Sequence, residues 1–235
     1  MEETLWNGIH LVQSDDAFRL GTDAILAADF LTLPHGARVA DLGTGSGAIG
    51  LLLCGRDESC RVTGVEIQAD ACALARQNIA RNQLHDRFSL VCGDLRQIQN
   101  HLPANRFDCV IANPPYFPVG SGKTSGTEAL MIARTEICCT LADVCRAAAW
   151  LLRYGGYFTL VHRPERLCDI ICQMRANQIE PKRIRFVRHN AQAAVCLVLL
   201  EGRSGAKPGL SYLPDLIEFE ADGTETDEYR MIYHR

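Results

Sequence analysis

From residue 38 onward the sequence alternates short apolar runs with longer amphipathic ones, and few folds accept that pattern. Arg38–Leu42, Arg61–Glu66, Phe88–Cys92, Phe107–Ala112 and Tyr157–His162 read as strands, several of them apolar on both faces as central parallel strands are. Two more follow at Lys182–Arg188 and Ala193–Glu201. Helical stretches separate them at Ala69–Asn82, Glu165–Asn177 and, most clearly, from about Arg134 to Leu152. In the last of these Ile137, Cys138, Leu141, Val144, Cys145, Ala148 and Leu152 form one stripe, and Gly155 and Gly156 supply the stop. A further helix begins near Thr22, read as its N-cap. The expectation is an α/β fold, a doubly wound, mostly parallel seven-stranded sheet with helices on both faces. No linker divides the chain, so residues 1–235 are expected to form one domain. Its parts are an N-terminal segment and helix (1–36), a core sheet (37–201) and a C-terminal extension (202–235).

Charge and cysteine usage narrow the class. Twenty-four Lys and Arg against 28 Asp and Glu leave a net charge of -4, which argues against coating nucleic acid through bulk positive charge. A local basic patch is not excluded by that sum. The eleven cysteines are odd in number, contain no CxxC pair and fall mostly in apolar segments (Cys54, Cys72, Cys109, Cys138, Cys145, Cys168, Cys172, Cys196). They read as small core hydrophobes in a reducing compartment, with no metal site. MEETLWNGIH lacks the basic flank and apolar run of a signal peptide, and no stretch has the length of a membrane span. A cytoplasmic protein is expected.

The first strand ends in Asp41-Leu42 and runs into Gly43-Thr44-Gly45-Ser46-Gly47, followed by the helical Ala48-Ile49-Gly50-Leu51. Glycines serve where a chain turns sharply from strand to helix and where a ligand approaches bare backbone. Twenty-one residues past Gly45, Glu66 ends the second strand, where a carboxylate can accept from both hydroxyls of a ribose. Gly43-x-Gly45-x-x-Ala48 also satisfies the dinucleotide fingerprint, so an NAD-dependent oxidoreductase stays open at this point. Asp41 and Asp94 favour S-adenosylmethionine: Asp41 is placed for the cofactor's amino group or for ordering the loop, Asp94 for an adenine amine. Asp94 also reads as a helix N-cap.

The fourth strand delivers Asn113-Pro114-Pro115-Tyr116. Two prolines make a stiff turn at the carboxyl end of the sheet and hold Asn113 extended. The Asn113 side-chain oxygen and the Pro114 carbonyl then form two acceptors around one amino group. A nucleobase or amide nitrogen is a poor nucleophile because its lone pair is delocalised. Hydrogen bonds accepted from its protons pull it toward tetrahedral geometry and free that pair, while Tyr116 stacks on the planar substrate.

Together these segments resemble a class I S-adenosylmethionine-dependent methyltransferase with a Rossmann-like fold. Phe18-Arg19-Leu20-Gly21-Thr22-Asp23-Ala24, Gly64–Gln68, Ile132–Glu136, Arg163–Leu167 and the late Pro208–Leu210 and Leu213–Phe219 segments with Tyr229 narrow the resemblance to the tRNA1(Val) adenine-37 N6-methyltransferase family. The resemblance implies that Phe18 to Asp23, with Gly21 and Thr22, closes over the methionine end of the cofactor, and that Ile67 and Leu95 sandwich its adenine. Two positions depart from the family pattern. Thr135 stands where histidine is expected, and Leu20 where an aromatic is expected.

The NPPY motif selects a planar amino or amide nitrogen and no more. N6-methylation of an anticodon-loop adenine in tRNA is the expected function. N5-glutamine methylation of a translation factor and a non-catalytic RNA-binding module are the other readings. Arg163 to Arg188 holds seven basic residues against three acids, and Arg163, Arg166, Lys182, Arg183 and Arg185 are the expected phosphate contacts. Arg183 and Arg185 share a face by the two-residue period of a strand. Lys123, in the Val119–Gly126 loop, is a further candidate if that loop acts as a lid. Trp150, Tyr154, Tyr157, Phe158 and Phe186 read as core or sheet residues, and His162 as a satisfied structural histidine. A monomer and a homodimer are both compatible with the sequence. The seven acids after Tyr212 form a tail that closes the cofactor side, pairs with the basic stretch or mediates a dimer.

Overall fold

The computed structural model describes residues 2–13, 20–114, 116 and 139–233. Its seven long strands are β3 (Arg38–Leu42), β4 (Arg61–Glu66), β5 (Phe88–Cys92), β6 (Phe107–Ala112), β7 (Leu152–His162), β8 (Ile179–Arg188) and β9 (Val195–Ser204). They lie in the order β8-β9-β7-β6-β3-β4-β5, parallel except that β9 is antiparallel to both its neighbours. The expected seven strands are all there. Among the described residues two further two-residue strands, β10 (Ser211–Tyr212) and β11 (Leu216–Ile217), run parallel to β8 and bring the sheet to nine. A separate ribbon pairs β1 (Glu2–Thr4) with β2 (His10–Val12).

Alternation along the strands makes the sheet doubly wound. Val39, Cys109, Ile111, Val161 and Val187 pack on one face with α1 (Thr22–Phe30), α2 (Ala48–Arg56) and Ile79 of α3 (Ala69–Arg81). Ala40, Leu42, Val110, Ala112, Phe158 and Leu160 pack on the other with α4 (Leu141–Leu151) and α5 (Leu167–Ala176). Successive side chains point to opposite faces, so a strand apolar at every position is covered on both. The C-terminal α6 (Asp227–Ile232) adds Tyr229 and Ile232 to the first of these layers.

The structure corrects several local readings. The helix expected from Arg134 begins at Leu141, because Thr140 is extended and forms a capping box with Asp143; residues 134–138 lie outside the described residues. It ends at Leu151 before the glycines are reached, since Leu152 is already extended and pairs with Phe107. Gly155 (φ +77°) and Gly156 lie inside β7, where the register slips between the Phe107 and Cys109 pairings. The extra residues put Tyr154 at 80% exposure, so it is not a core residue, and Trp150 is exposed as well. Gly21, not Thr22, is the cap of α1. Cys54, Cys72, Cys109 and Cys145 are buried as expected, and Cys60 is buried too, but Cys168 and Cys172 face solvent on α5, and Cys138 is outside the described residues.

Candidate active site

The carboxyl ends of β3, β4, β5 and β6 converge on one side of the sheet, and the motif residues gather there. Gly43, Gly45 and Gly47 have φ of +74°, +56° and +86°, a region that L side chains avoid. A Cβ added at Gly43 or Gly45 would meet nothing within 4 Å, so these two are set by backbone conformation and leave an open ledge above the loop. Gly50 differs, since a Cβ there would lie 2.3 Å from the Phe88 ring, and it lets α2 pack closely on β5.

Two carboxylates face this ledge from below. Glu66 is buried and accepts from Gly45 N at 2.9 Å, Ile67 N at 2.9 Å and Gln68 N at 2.8 Å, which orients it at the end of β4. Asp41 is fully buried; its Oδ2 accepts from Thr44 Oγ1 at 2.5 Å while Oδ1 has no partner among the described residues. Burial pushes the Asp41 carboxyl up to about 7, with the Thr44 hydrogen bond opposing and the Glu66 charge adding. Asp94 caps the turn Leu95–Asn100 through Arg96 N and also pairs with the Arg96 guanidinium at 2.6 Å, which holds its carboxyl below the usual range. Both readings of Asp94 therefore keep a basis, the cap being formed. Ile67 stands 43% exposed close by, an apolar surface with Leu95 half-buried near it.

Asn113 and Pro114 follow β6, and the Tyr116 hydroxyl lies 2.7 Å from Asn113 Oδ1. The same hydroxyl lies 2.5 Å from Oδ2 of Asp23, near the start of α1. Burial, and next the Asp23 charge, raise the Tyr116 phenol well above its ordinary value, so it keeps its proton. The Tyr116 ring lies 5.1 Å from the His162 ring at 57°. His162 Nδ1 accepts from Arg163 N at 2.8 Å, which places the remaining proton on Nε2; burial lowers its pKa to about 4 and keeps the ring neutral. Nε2 is buried with no partner among the described residues, so His162 is not the satisfied histidine expected from the sequence.

A glycine turn over two carboxylates thus stands beside an Asn-Pro loop at the ends of parallel strands. A family profile described as the methyltransferase small domain matches residues 10–174. The chain belongs to that family. The methyltransferase is 30% identical over 229 residues to a tRNA1(Val) (adenine(37)-N6)-methyltransferase of Aeromonas salmonicida, covering 96% of this chain and 92% of the relative. The protein of that name from Aeromonas hydrophila is 29% identical over 221 residues, 94% of this chain and 90% of its own. In fold the methyltransferase matches a predicted O-methyltransferase from Agrobacterium tumefaciens with a TM-score of 0.75, 23% identity and coverage of 91% and 96%. S-adenosylmethionine is its methyl donor.

The residues present fit that donor. An orphaned buried oxygen on Asp41, a second carboxylate on Glu66 and a ledge free of side chains suit a cationic molecule carrying a ribose diol. Asp41 gives a pH-dependent prediction. Its native pKa lies above the ordinary carboxylate value, so its contribution to stability is full below about pH 4 and is lost as pH rises through about 7. Asp41→Asn should therefore raise the unfolding midpoint at pH 8, leave it nearly unchanged at pH 4, and weaken donor binding about tenfold. Thermal unfolding at the two pH values and calorimetry check both halves; a variant less stable at pH 8 contradicts the assignment.

The basic stretch is engaged within the chain. Arg183 donates to Glu201 Oε1 at 2.9 Å and to Thr32 Oγ1 at 2.6 Å, and stacks over Phe30 at 4.5 Å. Arg185 pairs with Glu228 and Arg188 with Asp215, each at 2.6 Å, and Arg166 pairs with Asp169. Arg183 and Arg185 do share a face, but α1 and the C-terminal tail cover it, and the expected open basic face is not presented there. Of the three fates open to the acidic tail, Glu228 and Asp215 take the pairing one. The Arg163 guanidinium donates to the Cys196 carbonyl and the Lys182 ammonium to that of Lys207. Glu201 is buried, so Arg183→Ala would strand its charge and is expected to cost about 3 kcal/mol in denaturant unfolding.

Other expected residues have mixed placement. Phe18 and Lys123 lie outside the described residues, as do Ile132–Glu136 and the Val119–Gly126 loop. Thr22 Oγ1 accepts from Tyr233 Oη at 3.1 Å and lies 3.4 Å from Tyr229 Oη, tied to the tail. A Cβ on Gly21 would sit 2.5 Å from Asp23 Oδ1. Sequence reasoning missed Asn78, whose amide bridges Ser46 O in the glycine loop and both backbone groups of Val12. It gave Asp23 no part beside Tyr116. An acid just ahead of the apolar run Ala24–Ala28, in the first turn of α1, was the available signal. Among the described residues no His, Cys, Asp and Glu cluster could hold a metal, and no helix is long and apolar enough to cross a membrane.

Proposed function

We propose that the methyltransferase transfers a methyl group to the N6 amine of an adenine in tRNA, in the anticodon loop. The carrying observation is the match along nearly the whole chain to enzymes named for that reaction, and the 2.7 Å approach of the Tyr116 hydroxyl to Asn113 Oδ1 supports it. When bound, S-adenosylmethionine supplies an electrophilic methyl on a sulfonium. Glu66 holds the ribose, Asp41 faces the cationic end, Ile67 and Leu95 flank the adenine, and Asp94 accepts from its amine. The segment from Phe18 to Thr22 closes over the methionine end. The target base leaves its stack, and Asn113 Oδ1 and the Pro114 carbonyl accept its two N6 protons. Tyr116 lies against the ring and excludes water.

Lys123, Arg163, Arg166 and Lys182 contact phosphates, with Arg183 and Arg185 acting chiefly through the carboxylates they hold. The chain works as one domain, as a monomer or homodimer, in the cytoplasm with its substrate. An unmodified anticodon stem-loop offered with adenine at position 37 should accept methyl, and the same loop with purine, which lacks the 6-amine, should accept none. Equal transfer to both would sink the proposal.

A further inference from the structure

The Tyr116 hydroxyl carries one proton and stands between two acceptors, Asp23 Oδ2 at 2.5 Å and Asn113 Oδ1 at 2.7 Å. Three oxygens thus share a single proton, and the cluster has an acceptor to spare. An entering amine brings one of its two protons to it, the other facing the Pro114 carbonyl. Asp23 is also a buried carboxylate; its Oδ1 accepts from Ala24 N at 2.8 Å, and among the described residues no lysine or arginine pairs with it. A buried carboxylate that forms no ion pair among the described residues is costly in the resting protein. It becomes favourable once positive charge develops nearby, which is the condition for stabilising a transition state rather than a ground state. The chemistry creates such a charge at one atom, the acceptor nitrogen.

We infer that Asp23 is the carboxylate that stabilises the cationic acceptor nitrogen and takes up the proton it must lose, with the Tyr116 hydroxyl as the relay. This rests on the amine-acceptor reading of the Asn113 loop. In the transfer, the nitrogen lone pair forms the new N–C bond while the methyl–sulfur bond breaks, its electron pair remaining on sulfur. The nitrogen then carries the methyl group, two protons and a positive charge. One proton passes to Tyr116 Oη as the tyrosine's own proton passes to Asp23 Oδ2. The neutral methylated amine leaves, and Asp23 returns the proton to solvent. The partners around Tyr116 are Asp23 from α1, Asn113 after β6, and His162 and Arg163 at the end of β7, whose positive charge opposes that of Asp23.

Asp23→Asn keeps shape and removes the charge. It should lower kcat about 100-fold with the acceptor KM and donor affinity within about threefold, and Asp23→Glu should recover part of the loss. A merely structural role would not confine the loss to kcat. A variant with kcat within threefold of wild type, or with KM and donor affinity lost in proportion, overturns the inference. Turnover is measured first with wild type on unmodified tRNA and on a translation-factor glutamine; silence on both refutes the acceptor reading by itself. The relay is then decided without substrate, by Cζ-labelled tyrosine NMR of the free protein with Tyr116→Phe identifying the resonance. Asp23→Asn should shift that resonance and bring its ionisation midpoint down, and an unmoved signal overturns the inference.

Discussion

Asn113→Ala is expected to lower kcat by about three orders of magnitude while donor affinity stays within a few-fold. In the proposed site the side chain supplies one of two fixed acceptors for the amine, and its loss would leave the nitrogen lone pair delocalised and the attack angle unset. Asn113 borders the proposed donor site, but Asp41 and Glu66 at the ends of β3 and β4 are the groups proposed to hold the donor chiefly. Rapid-quench turnover with calorimetry on the same preparation separates the two effects. Unaffected turnover would remove the amine clamp from the mechanism, and lost donor affinity would make Asn113 a donor ligand first.

Glu66→Gln is expected to do the reverse. The carboxylate offers charge-assisted acceptors to both ribose hydroxyls, each worth about 1.5–3 kcal/mol. Gln keeps one acceptor for the backbone N–H groups of Ile67 and Gln68 and turns the other into a donor against Gly45 N and the ribose. Donor Kd should rise about 100-fold, with kcat at saturating donor changed far less. Binding within threefold of wild type would mean that the diol is held elsewhere.

The sheet was legible because several strands are apolar on both faces, and Arg38–Leu42, Arg61–Glu66, Phe88–Cys92 and Phe107–Ala112 begin and end as the residues alone suggest. Boundaries failed where a tertiary partner overrode a local signal. Gly155 and Gly156 look like a helix stop, yet β6 pairs with the chain through them and makes a bulge. Thr140 looks unremarkable inside an apolar stripe, but with Asp143 it starts a helix. The pairing of Gly45 with Glu66 was legible because one follows and the other ends a consecutive strand, 21 residues apart. Asp23 and Asn78 were not, since their meaning depends on contacts across 93 residues to Tyr116 and 66 to Val12. Charge counting misled at Arg183 and Arg185 because it cannot see Glu201 and Glu228 folding onto them.

The central claim is that an adenine amine in tRNA receives the methyl group. Incubating the enzyme with methyl-labelled S-adenosylmethionine and unmodified total tRNA, followed by digestion and nucleoside mass analysis, tests it directly. The label should appear in N6-methyladenosine alone, and should vanish with Asn113→Ala. Label in any other nucleoside, or none in tRNA while a glutamine of a translation factor becomes labelled, would contradict it.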